Sequence, residues 1–106
     1  MQVEDIPSDA VVLDVREPDE WAAGHIAGAL HVPMNDVPNR LAYSPDLLSP
    51  DTPVVVVCKV GGRSAQVTAW LRNQGYDARN LHGGMLAWAG AGRTMEADDG
   101  GPPRVA

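Results

Sequence analysis

The sequence is poor in residues that cross-link a chain or bind a structural metal. Its 106 residues include one cysteine, Cys58, one lysine, Lys59, and no phenylalanine. A single cysteine excludes an internal disulfide, and with three scattered histidines it supplies too few ligands for a structural zinc site. The first residues lack the basic and apolar regions of a signal peptide. The lone thiol therefore predicts a reducing, cytoplasmic location.

Cationic side chains are also scarce: eight lysines and arginines face fourteen acidic residues, for a formal charge of −6. A surface of this sign repels polyanions, and no apolar run is long enough to span a bilayer, so we expect neither nucleic-acid nor membrane partners. The length fits a single domain, predicted over residues 1–93, and the Gly-, Pro- and acid-rich composition predicts a disordered tail over residues 94–106. No surplus apolar face is evident, so we expect a monomer without metal or cofactor.

Short apolar runs alternate with stretches that carry helix patterns. Strands are predicted at residues 2–3 (a short edge strand), 10–15, 30–32, 54–57 and 77–81, and helices at residues 18–23, 35–42, 64–74 and 85–89. Alternation of this kind predicts an α/β fold, a parallel sheet with helices on both faces. The functional crevice of such a sheet lies at the carboxyl ends of its strands.

The most apolar strand runs directly into the segment Cys58-Lys59-Val60-Gly61-Gly62-Arg63-Ser64, and a helix follows. A thiol attacks as thiolate, and three features of this loop favour the thiolate: a helix N-terminus, a glycine pair that lets N–H groups form an anion nest, and two cationic side chains. We therefore predict Cys58 as the nucleophile and Lys59 to Ser64 as its anion-binding loop. A cysteine at a strand end is otherwise commonly a small core residue, but the glycine-rich turn after it favours the reactive interpretation.

Four segments, in order and at family-like spacing, resemble the rhodanese family of sulfurtransferases. They are Asp14-Val15-Arg16-Glu17; Glu20-Trp21 with Gly24-His25-Ile26-Ala27-Gly28-Ala29; Cys58-x-x-Gly61-x-Arg63-Ser64; and Leu81-x-Gly83-Gly84-Met85-x-x-Trp88. The resemblance implies a three-layer rhodanese-like fold with a five-stranded parallel sheet. It also implies that a cysteine takes a sulfane sulfur from a small anionic donor such as thiosulfate and holds it as a persulfide. The acceptor would be cyanide in an assay, and a thiol or a partner protein in the cell.

The resemblance also assigns supporting roles. Arg63 would shape the loop or bind the donor's sulfonate oxygens, and Lys59 would recruit anionic donors. Asp14 and Arg16 match the family's site-adjacent pair and are expected to form an ion pair that braces the loop, although a purely structural pair remains open. For His25 a structural loop hydrogen bond is favoured over a general base.

The remaining aromatic side chains receive simpler predictions. Trp21, Trp70 and Trp88 are expected to pack in the core. His82 lies at a strand end before the Gly-Gly turn, and its role stays open.

Two alternatives to sulfur transfer from small donors remain. Phosphatases and arsenate reductases also place a Cys…Arg loop at a helix N-terminus, but Cys-x5-Arg phosphatases have one residue more than the four that separate Cys58 from Arg63. The second alternative is a regulatory binding module, or a domain that relays a persulfide to a partner and has little activity on small donors. Retention of Cys58, Gly61 and Arg63 argues against a module that has lost its chemistry.

Overall fold

Strands and helices alternate along the chain, in a computed structural model that describes residues 1–106. The strands are β1 (Val11–Asp14), β2 (Leu30–His31), β3 (Val54–Val57) and β4 (Ala78–Asn80), and the helices are α1 (Pro18–Ala23), α2 (Val37–Tyr43), α3 (Gly62–Asn73) and α4 (Gly84–Gly90). Short 3₁₀ turns lie at Val3–Asp5, Met34–Asp36 and Pro45–Leu47. All strand pairs are parallel, in the order β2-β1-β3-β4.

The predicted α/β architecture is confirmed, and the element positions agree closely. Helix α1 has the predicted bounds because Pro18 opens it and a capping box joins Glu17 to Glu20. Helix α3 begins at Gly62, two residues before the predicted start at Ser64. None of the helices combines the length and the apolar character that crossing a bilayer requires.

The prediction of five strands is wrong, because the sheet has four. The expected edge strand at residues 2–3 is replaced by a 3₁₀ turn at Val3–Asp5. Only Met1 pairs with the sheet edge: its ammonium group donates to the Asn80 carbonyl over 2.7 Å, and the His82 N–H donates to the Met1 carbonyl over 2.8 Å. The chain turns after one paired residue, so the Val3 side chain enters the core from a turn instead of a strand.

Two apolar clusters cover the two faces of the sheet. On one face, residues of α2 and α3 pack on β1 and β3, including Val37, Val67 and Leu71. On the other face, Met85 and Trp88 of α4 pack on Val55 and Val57. All four valines of β3 are completely buried. Strand β3 is therefore central, and its carboxyl end opens between helices of both layers.

Several residues of the segment 94–106, which composition predicts to be a disordered tail, contact the rest of the domain. Residue 96 forms an isolated antiparallel bridge with His25, and the Arg104 N–H donates to the Ala23 carbonyl over 3.0 Å. Met95 and Val105 pack against the second apolar cluster. Composition missed these contacts because they use mostly backbone groups, including a carbonyl that the end of α1 leaves without an intrahelical partner.

Candidate functional site

The sulfur of Cys58 lies at the carboxyl end of β3 and receives three hydrogen bonds from its own loop. The Gly61 N–H donates to Sγ over 3.1 Å, the Ser64 N–H over 3.4 Å and the Ser64 hydroxyl over 3.2 Å. The cysteine is completely buried. Three polar donors converging on one sulfur distinguish this site from the setting of an inert core cysteine.

The loop takes this shape because one glycine adopts a left-handed conformation. Gly61 has φ 114°, which places its N–H toward the sulfur and lets α3 begin at the next residue. The Ser64 N–H lies in the first turn of α3, where backbone donors lack intrahelical partners. Gly62 lies outside the left-handed region with open space around it, so the turn depends on Gly61 alone.

The environment of Cys58 favours the thiolate. Burial raises the pKa of the Cys58 thiol, but hydrogen bonds from the Ser64 hydroxyl and from the N–H groups of Ser64, Gly61 and Val60 outweigh burial and hold the pKa below its ordinary value. A lowered thiol pKa increases the nucleophilic fraction at neutral pH.

Helix α4 supports the loop from the other side of the sheet. The Met85 N–H donates to the Cys58 carbonyl over 2.8 Å, and the Leu86 N–H donates to the Lys59 carbonyl over 3.1 Å. Gly84 is required here, since a Cβ at this position would collide with the backbone of Cys58 and Lys59. The Gly-Gly pair at the start of α4 thus allows the helix to approach the loop closely enough to fix the backbone of the loop.

A bidentate ion pair ties the loop to α1. The Arg63 guanidinium donates to Glu20 Oε1 over 2.6 Å and to Oε2 over 2.9 Å, and the hydrogen bond from Arg63 lowers the pKa of Glu20 to about 2. Lys59 is half-buried and forms no ion pair, and the Val60 side chain at the tip of the loop is exposed. Lys59 is therefore the one cation of the loop that is free to meet an incoming anion.

Asp14 and Arg16 form a buried pair beside the loop without a hydrogen bond to it. The Arg16 guanidinium donates to both Asp14 oxygens, with Nη2 2.8 Å from Oδ2, and also to the Gly24 carbonyl over 2.7 Å. Both side chains are fully buried, and Arg16 Nη1 has no partner. Asp14 lies in register with Val57, yet every hydrogen bond that the two side chains form goes to the pair itself or to the end of α1.

The remaining predicted groups lie away from the sulfur. Trp21 is sandwiched between His25 and His31, with ring centroids 3.7 Å and 4.7 Å apart, and so lies outside the apolar core where it was expected. His25 Nδ1–H donates to the Trp21 carbonyl over 2.8 Å, which makes it a loop hydrogen bond of the predicted kind. His82 is exposed, and its ring contacts Gln2 at 3.5 Å.

Sequence reasoning missed Asn80, the last residue of β4. Its Oδ1 accepts a hydrogen bond from the Ser64 hydroxyl over 2.5 Å, and its Nδ2 donates to the Gly61 carbonyl over 3.2 Å. The signal was available, because Asn80 is a polar residue at the carboxyl end of a strand next to β3. No group of three or more His, Cys, Asp or Glu side chains is arranged to hold a metal ion.

Comparisons with known proteins identify a family and similar folds. The rhodanese-like domain family matches residues 2–91. A protein of Allochromatium vinosum named a sulfurtransferase is 41% identical over 93 residues, covering 87% of this chain and 83% of its own. The thiosulfate sulfurtransferase GlpE of Stutzerimonas stutzeri is 38% identical over 80 residues, covering 74% and 70%. The crystal structure of a rhodanese-related protein from Thermoplasma volcanium superposes with a TM-score of 0.71 at 31% identity, covering 82% and 83%.

Proposed function

The chain belongs to the rhodanese-like domain family and is an enzyme of rhodanese type, and from this premise we propose its reaction. It moves a sulfane sulfur from a donor such as thiosulfate, through a persulfide on Cys58, to a thiophilic acceptor. The observation that carries the proposal is the convergence of three hydrogen-bond donors on Cys58 Sγ, at 3.1 to 3.4 Å. Hydrogen bonds of this kind increase the fraction of Cys58 that is present as the nucleophilic thiolate at neutral pH.

The reaction has two displacement steps at sulfur. In the first, the Cys58 thiolate attacks the outer sulfur of thiosulfate; a new S–S bond forms, the S–S bond of thiosulfate breaks, and sulfite leaves with the electron pair. In the second, cyanide or a thiolate attacks the outer sulfur of the persulfide, and Cys58 leaves as thiolate. Charge balances in both steps, and no external oxidant or reductant is needed.

The loop supplies the electrostatic support for both steps. Backbone N–H groups at the start of α3 stabilise negative charge on the inner sulfur and on the outer persulfide sulfur. Lys59, free of any ion pair, attracts the anionic donor. Arg63 is held by Glu20, which supports the loop-shaping role over direct binding of sulfonate oxygens. Asp14 and Arg16 would act at a distance, because Arg16 binds the Gly24 carbonyl at the C-terminal end of α1, the helix that carries Glu20.

The size of the loop argues against phosphate chemistry. Four residues separate Cys58 from Arg63, one fewer than in Cys-x5-Arg phosphatases, and the donors converge on a single atom. Arg63 also donates two of its five N–H groups to Glu20, and these two are not available to a phosphate while that pair is intact. These contacts favour sulfur transfer over phosphate hydrolysis.

The decisive experiment compares the wild type with Cys58→Ala in a thiosulfate:cyanide assay. We expect the variant to lose activity by about 10³-fold or more, because the nucleophile is removed. Intact-protein mass spectrometry after thiosulfate should show one added sulfur on the wild type and none on the variant. Cys58→Ser, which keeps the size and polarity of the side chain, is the matched control and should be equally inactive.

Two results would contradict the proposal. Sulfur transfer that persists in Cys58→Ala would remove Cys58 from the mechanism. Hydrolysis of an aryl phosphate by the wild type, without sulfur loading, would assign the loop to phosphatase chemistry.

A further inference from the structure

Asn80 contacts Gly61 and Ser64, the two residues whose donors lie 3.1 to 3.4 Å from the Cys58 sulfur. Its Nδ2–H donates to the carbonyl of Gly61, and its Oδ1 accepts from the hydroxyl of Ser64. The orientation of the amide follows from chemistry, since the Gly61 carbonyl can only accept a hydrogen bond. Asn80 therefore reaches the sulfur indirectly, through two of its partners, from the end of the neighbouring strand.

The Ser64 hydroxyl has two acceptors but only one hydrogen. Its oxygen lies 2.5 Å from Asn80 Oδ1 and 3.2 Å from Cys58 Sγ. A hydroxyl cannot make two full hydrogen bonds with one hydrogen, so the two acceptors compete for it. The shorter distance favours the amide oxygen while the sulfur is uncharged, whereas a thiolate is the stronger acceptor.

We propose that Asn80 is a positioning residue that holds the Ser64 hydroxyl hydrogen while Cys58 Sγ is uncharged and yields it when Sγ becomes a thiolate. This inference rests on the proposed sulfur transfer. Sγ is a thiolate before it attacks the donor and again when it leaves in the second step, and it is formally neutral in the persulfide, where the outer sulfur carries the charge. The Ser64 hydroxyl then rotates as the charge on Sγ changes through the cycle, and this rotation itself makes or breaks no covalent bond.

Most charged side chains around the site are held in ion pairs, so the hydrogen bond of the Ser64 hydroxyl is the contact that can change with the charge on Sγ. On α3 and α1, Arg63 is paired with Glu20, and on β1 Asp14 is paired with Arg16. Lys59 is the unpaired charge in the loop itself, and on β4 the Met1 ammonium donates to the Asn80 backbone carbonyl over 2.7 Å. The groups of α4 that pack against the loop, Met85 and Leu86, are uncharged.

The direction in which the pKa of Cys58 changes in an Asn80 variant distinguishes the proposed positioning role of Asn80 from a merely structural role. In Asn80→Leu the amide oxygen no longer competes, so the Ser64 hydroxyl stays with the sulfur, and the pKa of Cys58 should fall by about half a unit or more. Loss of structural support would loosen the donors and raise that pKa instead. Asn80→Asp keeps an acceptor and adds negative charge, and it should raise the pKa. Ultraviolet absorbance of the thiolate during a pH titration reads these changes.

A double-mutant cycle with Ser64→Ala then tests whether Asn80 acts on the Cys58 sulfur through the Ser64 hydroxyl. If Asn80 acts through the hydroxyl, Asn80→Leu should leave the Cys58 pKa unchanged in the Ser64→Ala background. Arg79→Gln, one residue away on β4 and outside the network, should leave it unchanged in the wild type. Thermal unfolding checks that each variant is folded, and Asn80→Ala replaces Asn80→Leu if the leucine variant does not fold.

The outcomes separate this inference from the proposed function. An unchanged or raised pKa in both Asn80→Leu and Asn80→Ala, or a shift that persists without the Ser64 hydroxyl, would overturn the role of Asn80. A wild-type protein that acquires no sulfur from thiosulfate would overturn the proposed function. The thiol titration does not depend on sulfur transfer, so it decides the hydrogen-bond network in either case.

Discussion

The carboxyl ends of β1 and β3 lie side by side in the sheet, and each is followed by buried polar groups. After β3 comes the Cys58 loop, and at the end of β1 lie Asp14 and Arg16, all three side chains with no exposed surface. At β1 the hydrogen bonds close on themselves, because the guanidinium satisfies the carboxylate and the Gly24 carbonyl. At β3 the hydrogen-bond donors converge on the sulfur of Cys58, which is a free cysteine.

This difference shows how to separate a structural polar cluster from a reactive one. Both clusters occupy the edge of the sheet where α/β proteins place their sites, so location alone does not distinguish them. The Asp14–Arg16 pair is an acid and a base that neutralise each other. The Cys58 loop presents N–H groups to a sulfur, and these lower the pKa of the thiol. Substitutions should therefore affect stability at one strand end and chemistry at the other.

The largest effect on stability is expected from Arg16→Met. It leaves the buried Asp14 carboxylate without its cation, and removal of one partner of a buried pair costs about 3–5 kcal/mol of unfolding free energy. Denaturant unfolding measures this loss. The sulfur-transfer rate per folded molecule, measured at low temperature, should stay within a few-fold of the wild type, because no hydrogen bond of the pair reaches the loop.

The matched control is the double variant Asp14→Leu/Arg16→Met. It removes both charges and should recover most of the lost stability, since an apolar pair of similar volume avoids the desolvation of the ions. If Arg16→Met instead loses sulfur transfer while its folded fraction is intact, the pair belongs to the reactive site and the contrast between the two strand ends fails.

The structure at each of the two strand ends could be predicted from the sequence only as far as its contacts join residues that are close together along the chain. The Cys58 loop is local: strand, Gly61 and helix start lie within a few residues, so its geometry could be predicted. Asn80 lies 16 residues from its partner Ser64, and only the sheet order brings the two together. Trp21 of α1 was assigned to the core because of its apolar character, but its ring stacks on two histidines, one of which lies on β2.

The wrong prediction of an N-terminal edge strand has a related cause. The edge strand at residues 2–3 was predicted from side-chain type, but a strand needs a run of paired backbone groups, and only Met1 pairs. The contacts of the last residues depend on backbone groups of α1 and of residue 25 that become available only in the folded domain. Composition reports on side chains and carries no information about such partners.

A smaller effect is expected from Glu20→Gln, which weakens the link between α1 and the Cys58 loop. We expect a loss of roughly 1–2 kcal/mol at neutral pH, since Arg63 is about a third exposed and solvent screens the pair. The pKa of Glu20 is lowered from 4.5 to about 2. The stabilisation is therefore complete above about pH 4.5 and is lost as the pH falls through about 2.

Unfolding free energies of the wild type and Glu20→Gln should accordingly differ by a constant amount above about pH 5 and converge as the pH approaches 2. Asp19→Asn, a neighbouring exposed acid on α1 with no ion pair, serves as the control for loss of one negative charge. A difference that does not change between pH 5 and 2 would show that the carboxylate of Glu20 is not what holds Arg63.

The smallest effect is expected from Lys59→Ala. This variant separates the contribution of charge from that of hydrogen bonding at the Cys58 sulfur. The pKa of Cys58 is lowered by Ser64, Gly61 and Val60, so Lys59→Ala should change it little. The unpaired ammonium acts on the approaching donor instead, and its loss should lower kcat/KM for thiosulfate by about 2- to 5-fold, less at high ionic strength. Lys59→Arg, which keeps the charge, should retain wild-type kinetics. An uncharged organic trisulfide should react equally well with Lys59→Ala and the wild type; an equal loss with both donors would mean that Lys59 supports the loop and not the encounter with an anion.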